Sequence, residues 1–381
     1  MSQFGITTKV FWGDDKYSQF SNFIDQYDVN KTLVIVDPGV AEEKCTLEFI
    51  DQLKKIKLDI IDVYSPQIQG EPTYDDLDKH AEQLKGKKPD LLVGIGGGTI
   101  MDLAKGISVL MNNSGMGIKY RGMNKVENEP VPFLAVPTTA GTGSEVTWTA
   151  AFIDSKDKMK LGINGKNVAP LCAILEPSFL TNSPDSIAIS AGLDSMVHAI
   201  EAVTAQTSNE ITIMLGTNTY CMMFDNLPKY VAGERSVEVC QNLLLSAYIA
   251  GIAMMNAGGG PASGVSYPLG VHFNVPHGFA GGLLLPPVFD INISKGYTGY
   301  ETVFNQLKLN CDSNYDTFMD AVEDFYQKIQ APDNLHQWNC KGTESIEILT
   351  QLTMEQRNEN LLLNPIVFIE DDVRELLKRV C

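Results

Sequence analysis

The first half of the chain alternates short apolar runs with amphipathic segments. Four runs have the composition of buried strands: TLVIV at 32–36, LDIIDVY at 58–64, LLVGI at 91–95 and PFLAV at 132–136. Between the runs, apolar positions recur at helical spacing, as in LEFIDQL at 47–53. Continuous apolar strands that alternate with helices are typical of a parallel sheet covered by helices on both faces.

The β pattern stops near Pro184, and helical periodicity takes over. It is clear from Leu193 to Val203, and further helices are predicted at 243–255, 315–329 and 371–380. A turn-rich stretch, PSFLTNSPD at 177–185, separates the two patterns. We therefore predict an α/β domain over residues 1–180 and an all-helical domain over residues 181–381, with ligands bound in the cleft between them.

One long stretch of the second half has no charge. From Val239 to Phe289 the chain contains no Asp, Glu, Lys or Arg. Glycines, prolines and polar residues interrupt it well short of the roughly 20 apolar residues that a membrane-spanning helix needs. The stretch is therefore predicted to be buried within a globular protein, where its polar side chains need partners.

Composition narrows the possible functions. The 381 residues include 47 acidic and 29 basic side chains, and the formal net charge is -18. This charge argues against binding to nucleic acids or to anionic membranes, because both need a basic surface. The N-terminus lacks a secretion signal, and seven cysteines are scattered without a CxxC pair. We expect a cytoplasmic protein with reduced thiols.

A triple glycine follows the third predicted strand. In DLLVGIGGGTIMDLAK, at 90–105, the strand leads through Gly96, Gly97 and Gly98 into a helix that starts near Thr99. Glycines and a helix N-terminus allow backbone N–H groups to bind an anion such as a pyrophosphate. The alternative is a tight strand-to-helix turn without a ligand, and the motif is not the GxGxxG dinucleotide fingerprint.

A loop rich in hydroxyl groups follows the fourth predicted strand. PTTAGTGSEVT at 137–147 offers Thr138, Thr139, Thr142 and Ser144 to a phosphate, a ribose or a nicotinamide amide. A plain loop has the same composition, but two anion-compatible loops after successive strands favour a nucleotide. Asp37, which follows TLVIV, would accept hydrogen bonds from ribose hydroxyls and repel a 2′-phosphate, which favours NAD over NADP.

The segment GLDSMVHAIE at 192–201 has the spacing of a metal site. On a helix, Asp194, His198 and Glu201 fall on one stripe, opposite the apolar residues. An Asp/His pair one turn apart can bind a divalent metal, but it is also a frequent surface hydrogen bond. Two of the five histidines, His272 and His277, lie in the uncharged stretch as VHFNVPHG and are candidates for further ligands.

The ordered set GGGTIMDLAK, PTTAGTGSEVT, GLDSMVHAIE and PLGVHFNVPHG resembles the iron-containing (group III) alcohol dehydrogenase superfamily over nearly the whole chain. The resemblance implies a dehydroquinate synthase-like fold, in which a Rossmann-like α/β dinucleotide-binding domain precedes an all-helical domain. It also implies NAD(P), a divalent iron or zinc ion held by Asp194, His198 and His277, and a homodimer. The implied cofactor residues are Asp37, Gly97, Gly98, Thr99, Asp102, Thr138, Thr139, Thr142, Ser144 and Lys160.

The chain departs from the family pattern within the uncharged stretch. Where the family usually reads NAGxGxxHxxxHPLG, this chain reads NAGGGPASGVSYPLG at 256–270. Ser263 therefore replaces an expected metal ligand, and Tyr267 replaces a histidine close to the substrate. His272 could replace the ligand only if the helix ends near Pro268, because nine residues from Ser263 is half a turn out of phase.

These features predict an NAD-dependent oxidoreductase that interconverts a small polar primary alcohol and its aldehyde by hydride transfer, with assistance from a metal. Without a metal, Tyr267 would supply the proton and His198 or His277 would orient the substrate. His272 is a second catalytic candidate. The alternatives are a phosphonoacetaldehyde- or sugar-type aldehyde reductase with a degenerate metal site, a non-catalytic NAD-binding homologue, and a lyase of the dehydroquinate synthase type.

Overall fold

The computed structural model describes residues 4–309 and 315–381. Its strands are β1 (Lys9–Phe11), β2 (Lys31–Val36), β3 (Asp59–Tyr64), β4 (Leu91–Gly96), β5 (Gly122–Met123), β6 (Phe133–Pro137), β7 (Thr149–Asp154), β8 (Met159–Asn164) and β9 (Cys172–Ile174). The helices are α1 (Lys16–Ile24), α2 (Lys44–Lys55), α3 (Tyr74–Leu84), α4 (Gly98–Asn112), α5 (Asp185–Thr204), α6 (Glu210–Val231), α7 (Val237–Ala257), α8 (Pro261–Phe273), α9 (His277–Ser294), α10 (Glu301–Leu307), α11 (Asp316–Lys328), α12 (Gly342–Gln356), α13 (Asn358–Leu363) and α14 (Glu370–Lys378).

The described residues form two compact units. One, which we call the α/β unit, comprises Ile6–Thr139 and Gly143–Asn182. The other, the helical unit, comprises Ser183–Cys381 together with Ala140–Thr142 and the residues before Ile6. A parallel sheet with helices followed by an all-helical part is the fold class that the sequence predicts.

The α/β unit is built on a parallel sheet with strand order β1-β9-β6-β4-β2-β3. Strands β4 and β6 are buried along their whole length, and β2 is buried after its first residue. Val34 of β2 lies beside Val93 of β4, which lies beside Leu134 of β6. After β3 the chain returns past β2 to form β4 on the other side. The strand order therefore reverses between β2 and β4, and ligands of open α/β sheets bind at the carboxyl ends of strands at such a point.

The four strands that the sequence predicts, β2, β3, β4 and β6, lie within one residue of their expected bounds. None of these four predicted strands corresponds to β1, β9 or the small sheet of order β5-β8-β7. β1 and β9 have three residues each, too few to show a periodic pattern. β7 and β8 pair antiparallel and are only partly buried, so their sequences lack the continuous apolar run of the central strands.

In the helical unit, α5, α6 and α7 pack against one another, and α8 and α9 pack as a pair. The uncharged stretch covers most of α7, all of α8 and the first part of α9, and most of its residues are buried. Two helices, Asp185–Thr204 and Val237–Ala257, are long and apolar enough to cross a membrane. Most of each apolar window is buried within the fold, as expected of core helices, so this is weak evidence for a membrane.

The described cysteines are free thiols, and Cys311 lies outside the described residues. Four of them are buried, namely Cys172, Cys221, Cys240 and Cys340. The sulfur atoms of Cys340 and Cys381 are 3.0 Å apart, near the C-terminal end of the helical unit.

Candidate active site

Asp37 lies where the strand order of the sheet reverses. It directly follows β2, and its backbone N–H donates to the carbonyl of Ile95 in β4 at 2.8 Å. Its carboxylate oxygen Oδ1 accepts a hydrogen bond from the N–H of Gly39, also at 2.8 Å. These two bonds hold a half-buried carboxylate beside the end of β4, where a ribose could reach it.

The glycines after β4 allow a close turn into α4. A Cβ atom on Gly96 would lie 2.6 Å from the side chain of Ile100 in the first turn of the helix. The carbonyl of Gly97 accepts the first helical hydrogen bond, from Met101 at 3.0 Å. Gly97, Gly98 and Thr99 are half-exposed, and the first N–H groups of a helix have no partner within the helix, so this is a position where an anion could bind.

The hydroxyl-rich loop lies beside this turn. The N–H of Thr138 donates to the carbonyl of Gly96 at 3.0 Å, and Thr139 packs closely over Gly97. Farther along, the Ser144 hydroxyl donates to Asp102 Oδ1 at 2.7 Å. These candidates therefore form one group within the α/β unit, whereas Thr142 belongs to the helical unit, where Gly141 packs against Ala191.

A buried lysine that was not predicted as a site residue organises the loop. Lys105 Nζ lies 2.9 Å from Ser144 Oγ, 3.0 Å and 3.1 Å from the carbonyl and hydroxyl oxygens of Thr147, and 2.8 Å from the Thr149 carbonyl. Burial lowers its pKa to about 8, although Asp102 and Glu145 act in the opposite direction. An Asp/Lys pair three residues apart in the otherwise apolar helix α4 was the available sequence signal.

Two further ionisable groups complete this region. Glu145 is buried, which raises its pKa to about 7, and its Oε1 has no hydrogen-bond partner among the described residues. Lys160 Nζ lies 2.6 Å from Glu71 Oε1. Burial raises the pKa of Asp102, and the positive charges of Lys105 and Lys160 oppose that rise, as does the hydrogen bond from Ser144.

Three candidate metal ligands meet in the helical unit. Asp194 Oδ1 lies 3.6 Å from His198 Nε2 and 3.9 Å from His277 Nε2. One ligand atom from each of the three residues lies within 4.8 Å of the others. Two imidazole nitrogens and a carboxylate oxygen form a donor set that suits zinc or iron. His198 Nδ1 is buried and has no hydrogen-bond partner among residues 4–309 and 315–381.

Glycines in α9 bring His277 close to α5. A Cβ on Gly278 would collide with the backbone carbonyl of Ser190, and one on Gly282 would lie 2.6 Å from the Cβ of Leu193. The two helices can therefore approach closely next to the cluster, where Ser190 and Leu193 precede Asp194 on α5. Asp194 and His198 from α5 and His277 from the start of α9 meet because of this approach.

Glu201 does not join the ligand cluster, although helical spacing places it on the same stripe. Its Oε1 accepts hydrogen bonds from the N–H groups of Ala262 (2.8 Å) and Ser263 (3.2 Å), and its other oxygen accepts from the Ser263 hydroxyl. Glu201 therefore caps α8. Helix α5 is buried on all sides from Gly192 to Thr204, so the prediction that the stripe lies opposite the apolar residues was wrong.

Tyr267 lies close to the cluster, whereas His272 does not. The ring centroids of Tyr267 and His277 are 5.2 Å apart, and the guanidinium carbon of Arg357 lies 3.8 Å from the Tyr267 ring centroid. Helix α8 continues past Pro268 to Phe273, so His272 points away from the side of Ser263 and is exposed. The condition under which His272 could replace the lost ligand is not met.

The chain matches two family models that together cover most of its length. Residues 7–177 match the model described as iron-containing alcohol dehydrogenase, and residues 188–381 match the C-terminal model of the Fe-containing alcohol dehydrogenase family. The NAD-dependent methanol dehydrogenase of Bacillus methanolicus is 26% identical over 383 residues, which cover 99% of each chain.

Solved structures have the same fold. A 1,3-propanediol oxidoreductase superposes with a TM-score of 0.91 at 21% identity, covering 99% of each chain. The sulfoacetaldehyde reductase of Bifidobacterium kashiwanohense, solved in complex with NAD+, superposes with a TM-score of 0.88 at 22% identity, covering 99% of this chain and 98% of that one.

Proposed function

Because the chain belongs to the iron-containing alcohol dehydrogenase family, we propose that it is an NAD-dependent oxidoreductase that interconverts a small polar primary alcohol and its aldehyde. The observation that carries the proposal is the meeting of Asp194, His198 and His277 in the helical unit. The matched methanol dehydrogenase, whose name states its dependence on NAD, supports the choice of cofactor.

The α/β unit supplies the cofactor residues of this proposal. The N–H groups at the start of α4 would bind the pyrophosphate, and the hydroxyls of Thr138 and Thr139 would contact the nucleotide. Asp37 would accept hydrogen bonds from the ribose and would exclude a 2′-phosphate, so NADP would bind less well.

The helical unit supplies the substrate residues. When bound, a divalent cation would polarise the substrate oxygen, and the nicotinamide would exchange a hydride with the substrate carbon. Asp194, His198 and His277 would hold the cation, and the Tyr267 hydroxyl would donate the proton to the oxygen of a reduced aldehyde.

Ser263 supports a site with three protein ligands. Its hydroxyl donates to Glu201, so it is directed to the cap of α8. Three ligands leave a position for substrate or water, as in catalytic zinc sites. The same observation favours a second candidate, an aldehyde reductase that works without a metal, in which Tyr267 supplies the proton and His198 or His277 orients the substrate.

The decisive experiment combines metal analysis with a reductase assay. Protein purified without chelator would be analysed for zinc and iron and then assayed with NADH and a panel of small aldehydes. We expect turnover with about one metal ion per chain, and loss of turnover after treatment with a chelator. Turnover without metal would favour the second candidate. No turnover with any aldehyde, with or without added Zn²⁺ or Fe²⁺, would contradict the dehydrogenase proposal.

A further inference from the structure

A positive charge lies next to the proposed substrate site. The guanidinium of Arg357 stacks over the ring of Tyr267, and that ring lies against His277. Tyr267 therefore contacts both Arg357 and a candidate metal ligand. It follows α12 directly, about 90 positions along the chain from Tyr267, so no local sequence motif connects the two residues.

The segment that carries Arg357 is positioned by close packing on α8. A Cβ atom on Gly264 would lie 2.8 Å from the Cβ of Asn360 and 3.7 Å from the Cβ of Arg357. Gly264 and Tyr267 are three residues apart on α8 and so share one side of the helix. The absence of a side chain at Gly264 allows the Arg357 segment to reach the ring of Tyr267.

The surroundings of Arg357 favour an anionic partner. Burial lowers the pKa of Arg357, whereas Tyr267 and Glu359 raise it, so the site disfavours an uncompensated positive charge. No carboxylate from Val239 to Phe289 can compete for it, because that part of α7, α8 and α9 contains none. Glu359, the carboxylate that raises the pKa of Arg357, is itself exposed to solvent.

We propose that Arg357 determines substrate specificity by binding the anionic end of a short aldehyde whose carbonyl group lies at the Asp194/His198/His277 cluster. A guanidinium that stacks through its face keeps its N–H groups at the edge, where they can bind a carboxylate, sulfonate or phosphonate through two hydrogen bonds. This inference rests on the proposed function and narrows its substrate to an aldehyde with an acidic group.

A matched pair of substrates tests this role. The first is 4-oxobutanoate, and the second is its methyl ester, which differs by the loss of the charge. The wild type should have a higher kcat/KM for the acid than for the ester. In Arg357→Gln the ratio of the two values should fall about 10- to 100-fold, as expected for loss of a charge-assisted hydrogen bond. Arg357→Lys should have an intermediate ratio, because it keeps the charge and loses the planar fork.

Arg235→Gln is the control variant, because Arg235 also stacks on a tyrosine, Tyr230, with its guanidinium carbon 4.5 Å from the ring centroid. It should leave the ratio unchanged. Equal losses for acid and ester in Arg357→Gln would overturn the proposal, since they would mean that Arg357 only supports Tyr267.

Binding of butanoate to the metal-loaded protein, measured by calorimetry without NADH, provides a readout that is independent of turnover. It should weaken about 10-fold or more in Arg357→Gln, and unchanged binding would contradict the inference. If the wild type reduces neither aldehyde, the proposed function fails, and the butanoate measurement still decides whether Arg357 binds anions.

Discussion

The two candidate sites of this molecule are built in opposite ways. In the α/β unit, Lys105 and Asp102 are buried together, and both are hydrogen-bonded to Ser144. In the helical unit, Asp194, His198 and His277 come together without a cationic side chain among them. The first group supplies its own counter-charge, whereas the second would be completed by a bound cation. Charged side chains inside a protein can therefore serve either to fix a loop or to receive an ion, and their partners show which.

The largest effect should follow from loss of a ligand in the helical unit. His198→Gln should remove the metal and lower kcat/KM for aldehyde reduction about 1,000-fold, because several kcal/mol of transition-state stabilisation are lost. Metal analysis and steady-state kinetics would be measured together, with His336→Gln, an exposed histidine of the same unit, as control. Full activity in His198→Gln would mean that the Asp194/His198/His277 cluster does not bind a cation. The contrast between the two sites would then not hold.

Removal of the internal counter-charge in the α/β unit should affect stability. Lys105→Met would leave Asp102 buried without its cation and the loop from Ser144 to Thr149 without its central donor. We expect the free energy of unfolding to fall by about 3–5 kcal/mol, as for other broken buried pairs. Chemical denaturation would measure the change, and the exposed Lys44→Met is the matched control. A small change would mean that Lys105 does not stabilise the loop.

A histidine at position 263 should make the second site more like the family pattern. Ser263→His is expected to tighten zinc binding about 10- to 100-fold by adding a nitrogen ligand. Ser263→Ala is the control, because it also removes the hydrogen bond to Glu201 but adds no ligand. Competition with a chromogenic chelator would give both affinities. Equal affinities would show that position 263 does not face the cation.

The smallest predicted effect is the dependence of stability on pH through Glu145. Burial raises the pKa of Glu145 from 4.5 to about 7, so between these values the folded protein keeps a proton that the unfolded chain has released. The stability contributed by this group is therefore present below about pH 4.5 and is lost as the pH rises to about 7. Glu145→Gln imitates the protonated form, so its stability relative to the wild type should increase by about 1–2 kcal/mol from pH 5 to pH 7.

Denaturation of both proteins across this pH range would give the difference directly, and it cancels contributions from groups that the two proteins share. A constant difference would show that Glu145 is ionised in the folded protein throughout the range. Lys105 would then have a full negative partner, and the contrast between the two sites would be sharper.

The sequence predicts the α/β site better than the helical one for a physical reason. The turn at Gly96 and the loop from Thr138 to Ser144 each follow a buried strand, so the sheet brings them together once the strands are recognised. Lys105 was missed because a lysine in an apolar helix does not reveal which oxygen atoms surround it.

In the helical unit, helical spacing predicted that Glu201 lies on the same stripe as Asp194 and His198. Tertiary packing directs its carboxylate to the start of α8 instead. Glu201 caps α8 because the first N–H groups of that helix lie within reach. Arg357 could not be predicted from any local pattern, because its neighbour Tyr267 is distant in sequence. The metal and cofactor roles of the remaining candidates stay predictions.

The close approach of α9 to α5 limits how this site could be re-engineered. No side chain fits at Gly278 unless the two helices move apart, because the carbonyl of Ser190 occupies the space. A side chain at Gly278 would push the two helices apart and move His277 away from Asp194. This would change the size of the ion that these two ligands can bind. A designer who wishes to change the metal preference therefore has freedom at Ser263, where the ligand set can vary, and none at the glycine that sets the spacing.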